Sequence, residues 1–234
     1  MTENINTHLR DVYIVDGART PFLKAKGKPG PFSASDLAVK AGRELLQRQS
    51  FSATDLDEVI IGCVAPSVNE ANIARIIALR LGCGNSMPAF TVQRNCASGM
   101  QALDSAVKDI GTGRCNLVLA GGTEAMSRAP LLYNEEMTNW FAGIMGAKNW
   151  KMKLKEYLQF RPWYLKPVIA LLRGLYDPIV NLNMGQTAEN IAYRFNITRH
   201  EMDEFALASH QRVMRAQEEK HLTEVETVYA DNGN

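Results

Sequence analysis

A cysteine can do chemistry where its sulfur is reachable and its anion is favoured, and one stretch of this chain offers both. Thr91-Val92-Gln93-Arg94-Asn95-Cys96-Ala97-Ser98-Gly99-Met100 runs from a β-prone segment into an apolar pattern with helical spacing. Cys96 therefore falls at a strand-to-helix turn, where unpaired backbone N–H groups and the positive end of the helix dipole favour an anion. The thiolate is the nucleophilic form of the side chain. Ala97, Ser98 and Gly99 are small enough to let a substrate approach the sulfur, and the Cys96 N–H is placed to help hold a developing oxyanion. That combination suits a catalytic cysteine, its N–H placed as in other acyl-transfer sites. A lone cysteine in an α/β core is also an ordinary buried structural thiol, and the segment alone leaves both readings open.

The other candidate groups have plainer readings. Cys63, Cys83 and Cys115 form no C-x-x-C pair with each other or with Cys96, and no histidine stands near them at ligand spacing. They are expected to be reduced core or loop thiols, with no metal site. His8 lies in a polar N-terminal stretch, while His200, His210 and His221 fall on or beside one amphipathic helix and read as surface or packing histidines. Glu124, after a buried strand, reads as a structural hydrogen-bonding carboxylate. Gly121 and Gly122 suit a tight strand exit, and Gly111-Thr112-Gly113 lacks the third glycine of a dinucleotide fingerprint.

The elements that must position Cys96 follow from hydrophobic periodicity. Asp11–Asp16 reads as a strand, and Ser35 as the N-cap of a helix running to about Arg48. Glu58–Val64 is a β-branched strand, Asn72–Leu81 a helix and Ala89–Gln93 a strand entering the Cys96 turn. A helix from about Ala97 presents Met100, Leu103, Val107 and Ile110 and ends at Gly111 and Gly113, before a buried strand over Asn116–Ala120. Beyond Met184, helices are expected over about Thr187–Phe195 and from Thr198 to about Lys220, the second opened by a Thr198/Glu201 capping box, with a strand over Thr223–Tyr229. Alternation of this kind implies a layered α/β architecture.

The residues around Cys96 resemble the nucleophile signature of the thiolases, the acetyl- and acyl-CoA acyltransferases, over Arg94-Asn95-Cys96-Ala97-Ser98-Gly99-Met100-Gln101-Ala102-Leu103. Four further segments are similar to that family in the same order: Asp16-Gly17-Ala18-Arg19-Thr20-Pro21, Gly121-Gly122-Thr123-Glu124-Ala125-Met126-Ser127-Arg128-Ala129-Pro130, Met184-Gly185-Gln186-Thr187-Ala188-Glu189-Asn190, and Arg199–Ala206 with Ser209-His210. The resemblance implies a layered α/β/α N-terminal domain with a mixed five-stranded sheet, incomplete here, over residues 1–122, followed by a mostly helical loop domain over 123–234. It implies that Cys96 is acylated by an acyl-CoA, either for thiolytic cleavage of a 3-oxoacyl-CoA or for Claisen condensation of acetyl-CoA. Leu175, Asn183 and Met184 are then expected to contact the substrate, in a cavity shaped for a CoA thioester. Coenzyme A enters as substrate, with no other cofactor. The family's Gly-His-Pro and second-cysteine Cys-x-Gly segments do not occur in these 234 residues, so the chain alone is expected to have no turnover. The alternative is a non-catalytic remnant or CoA-binding scaffold fragment; the Arg-Asn-Cys context argues against a polyketide or fatty-acid condensing enzyme.

Composition sets the remaining expectations. With 26 Lys plus Arg against 25 Asp plus Glu, the net charge is +1, which argues against nucleic acid as a partner. A signal-like apolar stretch is absent from Met1–Asp11, and Trp163–Val180 is interrupted by Lys166, Arg173 and Asp177, so a soluble, cytoplasmic chain is expected. An insertion over about 131–173 is longer than most thiolases carry. Between Lys148 and Arg173 it holds seven Lys or Arg against Glu156 alone, interleaved with Trp150, Tyr157, Phe160, Trp163 and Tyr164. A solvated helical insertion is the simple reading; a peripheral membrane surface or a β-oxidation complex partner is the sharper one. Homodimers or tetramers are expected by family resemblance.

Overall fold

The computed structural model describes residues 9–24 and 27–230. Contacts divide it into two compact units, Met1–Arg128 with Val213–Asn234, and Ala129–Arg212. The sequence places the break at 122 and keeps 213–234 with the second unit. The physical reason for the difference is that the last segment returns to the first unit. Arg19 and Val225 pair as a parallel bridge, Arg19 meets Glu224 at 3.0 Å, and Lys40 donates to the Tyr229 carbonyl.

In the first unit, β1 (Glu58–Gly62) is flanked by β2 (Ala89–Val92) and β3 (Val118–Gly122) in a parallel sheet of order β2-β1-β3. A central parallel strand is covered on both faces and so is apolar throughout rather than alternating. Every residue of β1 is buried. Its alternate side chains divide between two layers: Val59 and Ile61 join Ile73 and Ile77 of α2 (Ile73–Arg80) and Val39 of α1 (Ala34–Gln47). Ile60 points the other way, onto Ala102 and Ala106 of α3 (Ser98–Gly111). The layered α/β class expected from the sequence is therefore the architecture found.

Two of the expected strands do not form. Residues 11–16 carry no regular element, and 223–229 hold a turn at 223–224 and a single backbone bridge from Val225 to Arg19; Tyr13, Ile14 and Val15 are exposed. Among the described residues the sheet has three parallel strands rather than a mixed five. A β-prone segment becomes a strand only when a neighbour takes up its backbone hydrogen bonds. The cap of α1 also differs: Ser33, not Ser35, is the N-cap, in a capping box with Asp36. Ser35 instead turns inward, fully buried, and its hydroxyl donates to Glu70.

In the second unit, β4 (Leu131–Leu132) pairs antiparallel with β5 (Val168–Ile169), and β6 (Tyr176–Asp177) with β7 (Leu182–Asn183). The helices are α4 (Glu135–Gly146), α5 (Trp150–Leu158), α6 (Ala170–Gly174), α7 (Met184–Phe195) and the start of α8 (Arg199–Glu218). Asparagines cap α4, α5 and α7, with Asn134, Asn149 and Asn183 each accepting from a backbone N–H three residues on. Trp140 anchors α4 to α5: its Nε1 donates to the Glu156 carbonyl, and its ring packs at a tilt on Phe160, just past α5, with centroids 5.0 Å apart. Strands 131–132, 168–169, 176–177 and 182–183 are too short for any periodicity to reveal.

Candidate active site

The C-terminal ends of the three parallel strands meet at the turn that carries Cys96. β2 ends at Val92 and α3 starts at Ser98, with Ala97 as an N-cap that makes no side-chain hydrogen bond. Cys96 therefore precedes the helix by two residues instead of sitting in its first turn. It is exposed, whereas Cys63, Cys83 and Cys115 are buried, and all four are free thiols. Burial, with the Glu124 carboxylate beside it, pushes the Cys63 thiol up to about 12, and burial also raises those of Cys83 and Cys115.

The turn is held by a small set of groups. Asn95 adopts a left-handed conformation with φ 47°, a region that asparagine tolerates better than most residues. The Ala97 N–H donates to the Arg94 carbonyl and the Ser98 N–H to the Asn95 carbonyl, so two of the N–H groups at the helix start are already engaged in the turn. The Ser98 hydroxyl donates to the Asn95 carbonyl at 2.7 Å and accepts from the Arg94 N–H at 2.8 Å, and the residue is only 4% exposed. Beneath it, β1 ends at Gly62, where a Cβ would lie 2.3 Å from the Ser98 carbonyl carbon and oxygen. The smallness of Ser98 and Gly99 thus has a packing cause: the helix start rests directly on the strand ends, Gly99 against Gly122.

Glu124 is placed as a structural group. Its carboxylate accepts from the Val64 N–H at 2.8 Å, with the Cys63 sulfur 3.8 Å from the other oxygen. Gln93 Nε2 donates to the Val64 carbonyl, and the Thr123 N–H continues the ladder onto the Gly62 carbonyl. The loop after β1 is therefore tied to the exits of both neighbouring strands.

The residues expected to contact substrate lie in the second unit and are brought together there. The Leu175 carbonyl accepts from the Met184 N–H at 3.0 Å, across the β6–β7 hairpin in which Asn183 faces Tyr176. Leu175 and Met184 are partly exposed. The Asn183 amide oxygen accepts from the Gln186 N–H, and Gln186 reaches back to the Asn183 N–H. This capping box starts α7 at Met184, three residues before the start expected at Thr187.

His200, His210 and His221 are exposed, as surface histidines on or just after α8; His200 and His221 face Glu204 and Glu219. His8 lies outside the described residues. No group of three or more His, Cys, Asp or Glu among the described residues is arranged to hold a metal ion. Cys96 lines neither of two shallow cavities in the first unit. One, about 170 Å³, is bordered by Lys40, Arg43 and Tyr229, and the other, about 400 Å³, by Gln217, Leu222 and Val225. Ser98, Asn95 and Gly62 were not singled out as positioning groups in the sequence; a serine two residues after a cysteine at a helix start was the available signal.

Comparison with known proteins places this geometry. The model of the thiolase N-terminal domain matches residues 12–231. The mitochondrial trifunctional enzyme subunit beta of Bos taurus is 35% identical, covering 97% of this chain and 49% of that protein. The mitochondrial 3-ketoacyl-CoA thiolase of Mus musculus is 36% identical, over 92% of this chain and 50% of the relative. Among solved structures, the Bacillus anthracis acetyl-CoA acetyltransferase superposes with a TM-score of 0.76 at 31% identity, covering 94% of this chain and 51% of that one. Human mitochondrial 3-ketoacyl-CoA thiolase in complex with CoA gives 0.71 at 33% identity, over 89% and 48%. The chain spans about half the length of the relatives it matches.

Proposed function

This chain belongs to the thiolase family, and from that premise we propose that Cys96 is the thiol that takes up an acyl group from a CoA thioester. In the cleavage direction the Cys96 thiolate attacks the keto carbon of a 3-oxoacyl-CoA and the bond between C2 and C3 breaks. The departing acetyl-CoA carbanion takes a proton, and the acyl group remains on sulfur. The thiol of a second CoA then displaces Cys96, losing its proton and releasing the shortened acyl-CoA. Condensation is the same sequence reversed. Leu175, Asn183 and Met184 are proposed to line the pantetheine and acyl path. The observation that carries the reading is that Cys96 alone of the four thiols is exposed, at a turn built from the ends of three strands.

Incubation of the 234-residue chain with acetyl-CoA, followed by peptide mass mapping, tests this. Acetylation confined to the Cys96 peptide and absent from Cys96→Ser is expected. An unmodified Cys96, with the chain folded, favours the alternative of a non-catalytic fragment. Acylation without multiple turnover is the expected behaviour of this chain alone. Steady cleavage of a 3-oxoacyl-CoA at ordinary enzyme rates would overturn that part.

A place in β-oxidation fits the relatives' names, which also place those relatives in mitochondria; a cytoplasmic location and self-association into dimers or tetramers belong to the same proposal for this chain. The basic insertion supports a surface role as well. On α5, Trp150, Leu154 and Leu158 stand at four-residue spacing and are exposed, beside Lys151 and Lys155. Trp163 and Leu165 are also exposed. No described helix is long and apolar enough to cross a membrane, and short amphipathic helices of this kind lie in the bilayer interface. Co-sedimentation with vesicles containing anionic lipid should fall severalfold when Lys151, Lys153 and Lys155 are changed to Glu. Unchanged sedimentation would leave the insertion as a solvated one.

A further inference from the structure

We propose that Ser98 is a positioning residue for Cys96, its hydroxyl fixing the turn from which the sulfur meets an acyl-CoA; this rests on the acyl-transfer reading above. Three observations carry it. First, one hydroxyl bonds both residues that precede Cys96, accepting from the Arg94 N–H and donating to the Asn95 carbonyl. Second, the turn places Asn95 in the left-handed region, which asparagine tolerates and a β-branched residue does not. Third, the Ser98 backbone rests directly on Gly62 without room for a methyl group between them, so it cannot move toward the strand to compensate. Cys96 is thus a solvent-exposed side chain on a turn to which one buried hydroxyl adds two bonds beyond the backbone's own. Without the hydroxyl, the Arg94 N–H loses its partner and the turn can relax, moving the sulfur relative to any bound thioester.

The step affected is thioester exchange: the Cys96 thiolate attacks the acetyl-CoA carbonyl, the C–S bond to CoA breaks, and the CoA thiolate is protonated by solvent. Attack on a bound substrate depends on orientation, so misplacement of the thiolate is costly. Alkylation by iodoacetamide, a small reagent without a binding site, does not share that demand.

The test compares the two rates at Cys96 in the full 234-residue chain. Ser98→Ala should slow acetylation by acetyl-CoA at least about tenfold while leaving iodoacetamide alkylation within about twofold. Ser98→Thr, which keeps the hydroxyl, should recover most of the lost rate. Equal acetylation in Ser98→Ala, or equal falls in both rates, would overturn the positioning role. If Ser98→Ala does not fold, the Asn95 pair decides: Asn95→Gly, which accepts the left-handed backbone, should retain acetylation, and Asn95→Val should lose it selectively. A wild-type chain alkylated at Cys96 but never acetylated by acetyl-CoA overturns the acyl-transfer reading, and the Ser98 proposal with it.

Discussion

Cys96 and the three other cysteines differ in environment rather than in kind, and that difference is measurable. Cys63, Cys83 and Cys115 are shielded from solvent, and burial disfavours their thiolates, holding Cys63 near 12. At about pH 8 one thiol per native chain should react quickly with iodoacetamide, mapped to Cys96, with the other three labelled only after unfolding. Fast labelling of a second site in the native chain would contradict the burial seen here. Glu124 shows the converse case, a carboxylate in a family signature whose oxygens are committed to the Val64 N–H and the Cys63 thiol. The structural reading made from its place after a buried strand is the one the hydrogen bonds support.

Elements here start and meet where short polar side chains or missing ones allow. The end of β1 and the start of α3 approach so closely that Gly62→Ala forces its methyl group into the Ser98 backbone. Since neither strand nor helix can yield cheaply, a loss of about 3 kcal/mol, or failure to fold, is expected in denaturant titration. A change below about 0.5 kcal/mol would show that α3 can lift off the sheet. At the other unit, Asn183→Ala removes the cap of α7 and should cost about 1 kcal/mol. Asn183→Asp, which keeps the acceptor, should lose much less, and thermal unfolding of the two variants measures the difference.

For the whole molecule, charge ties the chain's distant segments together and sets its response to pH. The Arg48 guanidinium bonds both Asp16 and Glu226, and with the Gly17 N–H it holds the Asp16 carboxyl down at about 2 from an ordinary 3.8. A carboxyl lowered on folding contributes stability that is complete above its unfolded value and disappears as pH falls toward its folded one. The stability advantage of the native chain over Arg48→Gln should therefore be full at about pH 5 and shrink toward about pH 2. Glu58 has the opposite sign. Burial, reinforced by nearby Asp109, raises its carboxyl above 4.5, so its ionisation opposes folding as pH climbs through and above that value. Glu58→Gln should gain on the native chain there and not below it; thermal midpoints across pH 2–8 check both trends.

Much of the first unit was legible in the chain itself. The buried run over 58–62, the helix opened by Asn72, the strand at 89–92 and the helix following Cys96 were each found within a residue or two of their expected bounds, because burial periodicity and caps are local properties. The same locality put the exposed thiol of Cys96 at a strand-to-helix turn. The cap of α1 was read at Ser35, yet the capping box forms two residues earlier between Ser33 and Asp36, and Ser35 is buried against Glu70. Residues 11–16 and 223–229 have strand-forming composition, yet pairing is a property of two segments, and the one backbone bridge here joins Val225 to Arg19. Tertiary structure alone decided that the Ser98 backbone rests against Gly62 and that residues 213–234 belong with the first unit, because both depend on groups far apart in sequence packing against one another.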